Sequence, residues 1–368
     1  MDEFLDEILS QPQALLDTYH YLKDSCQSQF QELKKKIKEE KISKFIFTGM
    51  GSSYFSSYIP YYLLNQSGFY SEMREAGEFL LYSFPKIETN FFDKTAIVLI
   101  SQSGESGEVI HLLEKINSIE NPPLTIGITN NPKSTLSTNT NMTFLIKAGV
   151  EKSVTSKSYT CTLLLLYVLV KDLIDDFLSK NENSLEIENL IKEINDFLKD
   201  REKIEIFYNN LLSFYGSEID CLEILARGPS LSTAYQAALN FKEIVKKLSE
   251  ANPCSTFRHG GIECLNKNSK LVIISSEQNN FKLNIHLIKR MIKDWNCGKI
   301  LHITNLYSDD ITLNNSPKII SFMHHIKNPF LSPIMEIIIL QLFFYKIAEK
   351  NDLTPGKFYY SEKITRDI

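Results

Sequence analysis

The sequence predicts an α/β protein with two tandem, doubly wound parallel sheets, flanking helices and a C-terminal tail. Short, continuous apolar runs such as Ala96–Ile100 are typical of strands that are buried on both faces of a sheet. These runs alternate with helical patterns, without any Pro/Ser-rich linker between them. The same alternation then occurs a second time, which indicates two similar halves.

The elements of the two halves are predicted from these patterns. The first half contains strands at Phe45–Phe47, Ala96–Ile100, Thr125–Thr129 and Thr143–Ile146, and a long apolar helix at Thr160–Leu173. A mostly helical, charged crossing follows at Asp175–Ile206. The second half contains strands at Glu223–Ala226, Leu271–Ser275, Ile300–Thr304 and Ile319–Phe322, and an apolar helix at Leu331–Lys350. The predicted domains are 1–200, 201–350 and a tail at 351–368.

Length and composition favour a soluble globular protein of two domains. The chain has 368 residues, of which 43% are hydrophobic and 23% charged, enough for two cores of ordinary size. A net charge of −5 gives no reason to expect a nucleic-acid partner, and no apolar run is long enough to span a membrane. No signal peptide is visible and the six cysteines show no metal-binding spacing, so we expect a cytoplasmic protein with reduced thiols. We expect neither a metal nor another cofactor.

The loop Ser101–Ser106 separates a strand from a helix and has the composition of a phosphate cradle. Short hydroxyl side chains and free backbone N–H groups at the start of a helix, where its dipole is positive, favour an anion. The alternative is an ordinary capped helix start that binds nothing. The predicted ligands of the phosphate in this loop are Ser101, Gln102, Ser103 and Ser106.

A second loop of the same design follows the strand Lys44–Phe47. It reads T-G-M-G-S-S and leads into a helix from Tyr54, so Ser52 and Ser53 are further phosphate ligands. Gly49 and Gly51 allow close backbone approach, but the third glycine of a dinucleotide fingerprint is absent, since Tyr54, Phe55 and Ser56 follow. The sequence therefore predicts that both loops bind one phosphorylated ligand and that NAD is not the ligand.

The motifs G-M-G-S-S, S-Q-S-G-E-S, F-K-E-I, F-R-H-G-G and E-K-I-T occur in an order that resembles the sugar isomerase (SIS) family. The resemblance is strongest to the isomerase half of glutamine–fructose-6-phosphate aminotransferase and to its stand-alone relatives, the amino-sugar-phosphate deaminases and fructosamine-phosphate deglycases. It implies a hexose 6-phosphate substrate. It also implies that Val154 and Ser156 lie near the sugar, with Lys157 next to them.

The resemblance also implies the catalytic residues. The spacing of apolar residues predicts an amphipathic helix at Ala237–Glu250, with Leu248 on its apolar stripe. Glu243, by itself a glutamate on this helix that would ordinarily be solvated, matches the glutamate that moves a proton between C1 and C2 of the sugar. His259 matches the histidine that opens the sugar ring and that the neighbouring subunit supplies, so a homodimer with His259 shared across the interface is expected. Lys363, in a tail that would otherwise be a frayed terminus, matches a lysine that stabilises the open chain.

Three departures from the family pattern bear on the reaction. A lysine of the aminotransferase is replaced here by Asn240, a glutamate by Thr256, and a proline by Gly261. The chain begins Met1-Asp2-Glu3, so we expect no glutaminase function in it and either a separate glutaminase, free ammonia or reaction in the cleavage direction. The predicted activity is deamination of an amino-sugar 6-phosphate or deglycation of a fructosamine 6-phosphate. Simple aldose–ketose isomerisation, a synthase subunit that uses external ammonia, and a non-catalytic sugar-phosphate sensor are the alternatives.

Overall fold

A computed structural model describes residues 2–85, 90–216, 218–309, 316–360 and 362–366, with the backbone alone at Asn90 and Asn181. The chain forms two compact units. The first, which we call the N-terminal unit, consists of residues 10–191 and 358–368. The second, the C-terminal unit, consists of residues 1–9 and 192–357. This division differs from the predicted boundaries because the first helix belongs to the second unit and most of the tail to the first.

The N-terminal unit contains a five-stranded parallel sheet with the strand order β2-β1-β3-β4-β5. Its strands are β1 (Lys44–Gly49), β2 (Tyr70–Glu75), β3 (Thr95–Ile100), β4 (Leu124–Thr129) and β5 (Met142–Leu145). Its helices are α2 (Gln11–His20), α3 (Gln27–Glu39), α4 (Ser52–Ser56), α5 (Tyr58–Gln66), α6 (Ala76–Glu78), α7 (Gly107–Asn117), α8 (Thr135–Asn139) and α9 (Lys157–Asp175). Short 3₁₀ or π segments lie at Tyr21–Ser25, Phe79–Ser83, Asn90–Phe92 and Phe177–Ser179.

The C-terminal unit repeats this architecture with the strand order β10-β9-β8-β6-β7, again all parallel. Its strands are β6 (Cys221–Ala226), β7 (Leu248–Pro253), β8 (Lys270–Ser275), β9 (Lys299–Thr304) and β10 (Ile319–Met323). Its helices are α1 (Glu3–Leu9), α11 (Arg201–Tyr215), α12 (Leu231–Val245), α13 (Cys254–Phe257), α14 (Gln278–Lys293) and α15 (Ser332–Lys350), while α10 (Asn181–Lys199) runs from the first unit into the second. Two 3₁₀ segments lie at Gly228–Ser230 and Gly261–Cys264.

The predicted fold class is confirmed, and the predicted strands are present with bounds that shift by a few residues. The sequence analysis missed β2 and β7, whose sequences are YSEMRE and LSEANP. Both are edge strands, which keep polar side chains because one side of each lacks a strand neighbour. The polar edge strands were therefore missed, whereas the more apolar edge strands β5 and β10 were predicted.

The helix predicted at Ala237–Glu250 is wrong in its bounds. Helix α12 runs from Leu231 to Val245 and ends at Lys246, which adopts the left-handed conformation with φ +60°. Leu248, expected on the apolar stripe of this helix, begins β7 and is 71% exposed. The apolar spacing continued across a chain reversal, so periodicity alone did not show where the helix ends.

The hydrophobic cores lie between the sheets and two long apolar helices. All six residues of β3 are buried, as are Leu163–Val170 of α9 and Ile334–Leu342 of α15. The sequence predicts both as apolar helices, at Thr160–Leu173 and Leu331–Lys350. Within the described part of the chain, no helix combines the length and the apolar character that crossing a membrane would require.

Candidate functional site

The serine-rich loop lies at the carboxyl end of β3, the central strand of the N-terminal sheet. Ser101 is buried, and its hydroxyl shares a hydrogen bond with the hydroxyl of Ser106, with 2.9 Å between the Oγ atoms. Ser103 is half-buried, and its Oγ lies 3.5 Å from Ser101 Oγ. Helix α7 starts directly after Ser106, so three hydroxyl groups cluster at a helix N-terminus. This arrangement suits an anion with several acceptor oxygens.

The loop is held in shape by neighbours that do not belong to the hydroxyl cluster. Gly104 has φ +69°, and a Cβ there would lie 2.4 Å from the Cβ of Ser134, so only glycine fits. The Glu105 carboxylate accepts hydrogen bonds from the backbone N–H and the hydroxyl of Thr135, each at 2.8 Å. The carbonyl of Gln102 accepts from Asn130 N–H at 2.9 Å. Glu105 therefore fixes the loop, and the serines remain the side chains suited to a ligand.

The second glycine–serine loop lies beside the first. Strands β1 and β3 are adjacent and parallel, and Gly49 is paired in register with Ile100, the last residue before the serine loop. A Cβ at Gly49 would lie 2.8 Å from the Ile100 carbonyl oxygen, which explains why glycine occupies this position. Ser52 and Ser53 are both half-buried and begin helix α4. The two loops predicted to share a ligand thus follow neighbouring strands at the same edge of one sheet.

The segment before helix α9 is organised by Glu151, which the sequence analysis did not single out. Its carboxylate accepts hydrogen bonds from the backbone N–H of Ser156 at 3.0 Å and of Ser158 at 2.9 Å. It also accepts from both hydroxyls, at 3.2 Å and 2.6 Å. Val154 and Ser156, predicted to lie near the sugar, are fully buried, and the Ser156 hydroxyl is bound to Glu151.

Part of the C-terminal tail folds onto the same unit. Lys363 Nζ lies 2.9 Å from the Glu151 carboxylate and 2.5 Å from the carbonyl oxygen of Ser153. The carbonyl of Thr365 accepts a hydrogen bond of 3.2 Å from the backbone N–H of Gly107, the first residue of α7. The structure therefore brings Lys363 beside the Val154–Ser156 segment. It also connects the tail to the helix that follows the serine loop.

Glu243 lies on helix α12 in the C-terminal unit and is half-buried. Its carboxylate accepts a hydrogen bond from the Asn240 side-chain amide at 3.3 Å. Lys246, one turn later, donates to the Glu243 carbonyl at 2.6 Å and to the Lys357 carbonyl at 2.7 Å. Burial lowers the pKa of Lys246, while the nearby Glu243 acts in the opposite direction. Lys246 is thus a cation close to Glu243. It lies three residues after Glu243 in the sequence, whereas Asn240, which replaces a lysine, lies three residues before it.

Gln236 shares the face of α12 that carries Asn240 and Glu243, because the three residues are spaced by four and three positions. It is fully buried, and neither its amide oxygen nor its amide nitrogen has a hydrogen-bond partner among the described residues. A buried amide without partners carries an energetic cost of about 1–3 kcal/mol. The sequence analysis missed Gln236 because a single glutamine on a helix gives no signal.

His259 follows the short helix α13 and is exposed, and its backbone N–H donates to the Thr256 carbonyl at 2.8 Å. The departure at Gly261 has a packing cause. A Cβ at residue 261 would lie 2.3 Å from the ring of Phe257, which is buried in the core of the C-terminal unit. The ring of Phe257 therefore occupies the space that a proline at 261 would need.

The structure describes no cluster of three or more metal-ligating side chains in the residues it covers. All six cysteines are free thiols. His324 is buried and His325 is exposed, so the two histidines face different surroundings, as expected for adjacent residues. The described residues thus offer no evident metal site.

Comparison with known proteins agrees with this geometry. Residues 37–171 match the SIS domain family. The chain is 29% identical over 310 residues to glutamine–fructose-6-phosphate aminotransferase (isomerizing) of Methanocaldococcus jannaschii, and the match covers 82% of this chain but 26% of the relative. The chain thus spans about a quarter of the length of that relative.

Two solved structures share the fold over nearly the whole chain. The C-terminal domain of glucosamine-fructose-6-phosphate aminotransferase from Francisella tularensis superposes with a TM-score of 0.77 at 22% identity, covering 96% of each chain. Glucosamine-6-phosphate deaminase from Thermotoga maritima superposes with a TM-score of 0.67 at 19% identity, covering 99% of each chain. Residues 37–171 therefore match the SIS domain family, and the chain as a whole shares its fold with these two proteins.

Proposed function

We propose that this chain is a sugar-phosphate isomerase that deaminates an amino-sugar 6-phosphate or cleaves a fructosamine 6-phosphate. The observation that carries the proposal is the group of serine hydroxyls at a helix N-terminus, beside a second glycine–serine loop at the same sheet edge. A phosphate monoester offers the charge and the several acceptor oxygens that this edge suits. The predicted phosphate ligands are Ser52, Ser53, Ser101, Gln102, Ser103 and Ser106.

The residues proposed for the chemistry each have one role. His259 assists opening of the sugar ring, and Glu243 takes the proton from C2 and returns it to C1. This transfer converts a 2-amino aldose into the imine of a ketose, which water hydrolyses to a ketose 6-phosphate and ammonia. Lys363 stabilises the negative charge that develops on the open chain. The half-buried position of Glu243 and its amide partner Asn240 support the assignment of Glu243.

A direct assay tests this proposal. The purified chain is incubated with amino-sugar 6-phosphates and fructosamine 6-phosphates, and release of ammonia or of a free amine is measured. Glu243→Gln should lower turnover by about 10²–10⁴-fold, because it removes the proton carrier while preserving shape. Lys242→Gln is the matched control, since Lys242 is the exposed neighbour on the same helix. Turnover that survives in Glu243→Gln would contradict the role of Glu243.

The same panel separates the alternatives. Interconversion of a ketose and an aldose 6-phosphate without nitrogen release would assign simple isomerisation. Binding of a hexose 6-phosphate without any turnover, equal in wild type and Glu243→Gln, would assign a sensor. Activity that appears only when ammonia or a glutaminase is added would assign a synthase subunit.

We further propose a homodimer in which each subunit supplies His259 to its partner. The exposure of His259 in the single chain is compatible with such sharing. Mixing inactive Glu243→Gln with inactive His259→Asn after subunit exchange should restore about one quarter of the activity, because half of the dimers are mixed and each has one intact site. No recovery in a mixture shown to contain mixed dimers would contradict a shared site.

A further inference from the structure

Glu151 combines three features that an ordinary loop glutamate lacks. Its side chain is fully buried, it accepts four hydrogen bonds from Ser156 and Ser158, and it pairs with the cation of Lys363, 212 residues later in the chain. Lys363 itself retains 21% exposure of its side chain. The carboxylate thus connects the substrate-side segment before α9 with the tail.

The cost of burying a carboxylate favours a stable pair between Glu151 and Lys363. A buried carboxylate without a cation is costly, because desolvation is compensated only by partners of opposite charge and by hydrogen-bond donors. Four donors from the loop fix the carboxylate in one place before the tail arrives. The lysine then meets an acceptor that needs little reorganisation, and it donates to the Ser153 carbonyl as well.

We propose that Glu151 is a positioning residue that orders the tail and places the ammonium group of Lys363. In this arrangement Lys363 is held as a cation next to the Val154–Ser156 segment, and Thr365 reaches the first N–H of α7. The catalytic consequence rests on the proposed function of Lys363. The ordering of the tail does not, since it follows from contacts of the chain with itself.

Hydrogen–deuterium exchange of the full chain without any ligand tests the ordering directly. In Glu151→Gln, the amide of Gly107 and the peptide containing residues 358–366 should exchange about tenfold faster than in wild type, because a charged hydrogen bond has been lost. Lys363→Met should accelerate amide exchange at Gly107 and in the tail to a similar extent, while it leaves the Glu151 carboxylate in place. Ser158→Ala is the matched control, because it removes one contact of Glu151 on the loop side and keeps the contact with Lys363.

Amine labelling supplies a second readout. Acylation of Lys363, followed by mass spectrometry, should be slower than acylation of Lys357 in wild type, since Lys357 is exposed in the same tail. In Glu151→Gln the two rates should approach each other, and Glu151→Asp should restore part of the protection. If Glu151→Gln fails to fold, Lys363→Met still reports on tail ordering by exchange at Gly107.

The outcomes separate this proposal from the proposed function. Equal exchange at Gly107 and in the tail, in wild type and in both Glu151→Gln and Lys363→Met, would overturn the positioning role whatever the substrate. Faster exchange in both variants would support it even if no amino-sugar phosphate is turned over. Where turnover exists, Glu151→Gln should lower kcat about as much as Lys363→Met and leave KM within about threefold, since the phosphate ligands are untouched.

Discussion

The carboxyl ends of the two parallel sheets carry similar groups but use them differently. At the edge of the N-terminal sheet, Ser101 and Ser106 hydrogen-bond to each other, at 2.9 Å between hydroxyls. At the edge of the C-terminal sheet, the hydroxyls of Ser230 and Thr233 donate to the carboxylate of Glu336, at 2.9 Å and 2.7 Å. Glu336 is fully buried in helix α15. The hydroxyls of the first cluster contact each other and accept from the backbone N–H groups of Gly104 and Glu105, whereas those of the second donate to a carboxylate of the protein.

This difference indicates which of the two sheet edges is suited to a ligand. Both halves place hydroxyl side chains close to the carboxyl end of a parallel strand and the start of a helix, so this placement alone does not distinguish them. In the C-terminal unit the acceptor oxygens that such hydroxyls need come from Glu336. Burial raises the pKa of Glu336, and hydrogen bonds from Ser276, Thr233 and Ser230 oppose this rise. We therefore expect the phosphate at the N-terminal edge alone.

Removing the internal carboxylate should give the largest effect. Glu336→Ala should lower the free energy of unfolding by about 3 kcal/mol, because it leaves a cavity and deprives two buried hydroxyls of their acceptor. Glu336→Gln should cost about 1 kcal/mol, since its amide oxygen still accepts. Urea unfolding followed by the fluorescence of Trp295, the single tryptophan, measures both. Equal stability of the two variants would show that the carboxylate does not fill this cluster.

The next largest expected effect is a dependence of stability on pH, caused by buried histidines of the C-terminal unit. Burial lowers the pKa of His324 to about 3, with a contribution from His325, and lowers that of His302 to about 4. His324 Nε2 lies 3.1 Å from the Ser276 hydroxyl, and the other ring nitrogen, like Nε2 of His302, has no partner among the described residues. Both histidines therefore stay neutral in the folded protein.

The sign follows from these lowered pKa values. Stability contributed by the neutral histidines is complete above pH 6.5 and falls as the pH drops toward 4, by about 1.4 kcal/mol per pH unit for each histidine. The raised pKa of Glu336 acts oppositely and lowers stability as the pH rises above 4.5. Urea unfolding at pH 7.5, 6.5 and 5.5 should show His324→Gln with a flatter profile than wild type below pH 6.5, and Glu336→Gln with a steeper one. Parallel profiles for all three proteins would contradict the assignment.

A pair of glycines allows a matched test of the two edges. Gly104 has φ +69° and would place a Cβ 2.4 Å from Ser134 Cβ. Gly228, in the loop after β6, has φ +57° and would place a Cβ 3.0 Å from the flexible end of Glu277. Both alanine variants are strained by about 1 kcal/mol, but Gly104→Ala adds a collision and should cost about 2 kcal/mol in total. Thermal unfolding of both variants measures the difference, and an equal loss would show that the serine loop adapts.

The sequence predicted the fold well wherever strands are central and apolar. β3 and β8 were found because their continuous apolar runs reflect burial on both faces, whereas β2 and β7 carry the polar residues of edge strands. The end of α12 was misplaced because a lysine in the left-handed conformation carries no strong sequence signal. Local patterns thus predict buried regular elements better than the points at which the chain reverses.

The candidate site was easiest to propose where its residues form a continuous motif. The serine loop was proposed from its composition alone, and Glu243, His259 and Lys363 from their resemblance to the family. Glu151 was not found, because its importance lies in a contact with Lys363 across 212 positions. The hydrogen bonds from Ser230 and Thr233 to Glu336 were not predicted either. The helix that carries Glu336 lies about 100 residues beyond these two residues in the chain.

The smallest expected effect is the one that separates the two edges most directly. Ser101→Ala removes a buried hydroxyl from the N-terminal cluster and should weaken binding of a hexose 6-phosphate about tenfold, the equivalent of one hydrogen bond to a charged group. Ser230→Ala removes a hydroxyl from the C-terminal cluster and should leave that affinity unchanged while it lowers the free energy of unfolding by about 1 kcal/mol. Isothermal titration with a hexose 6-phosphate and urea unfolding are measured on both variants. Each variant serves as the control of the other. Unchanged affinity in Ser101→Ala, or a loss of affinity in Ser230→Ala, would contradict binding of the phosphate at the N-terminal sheet edge.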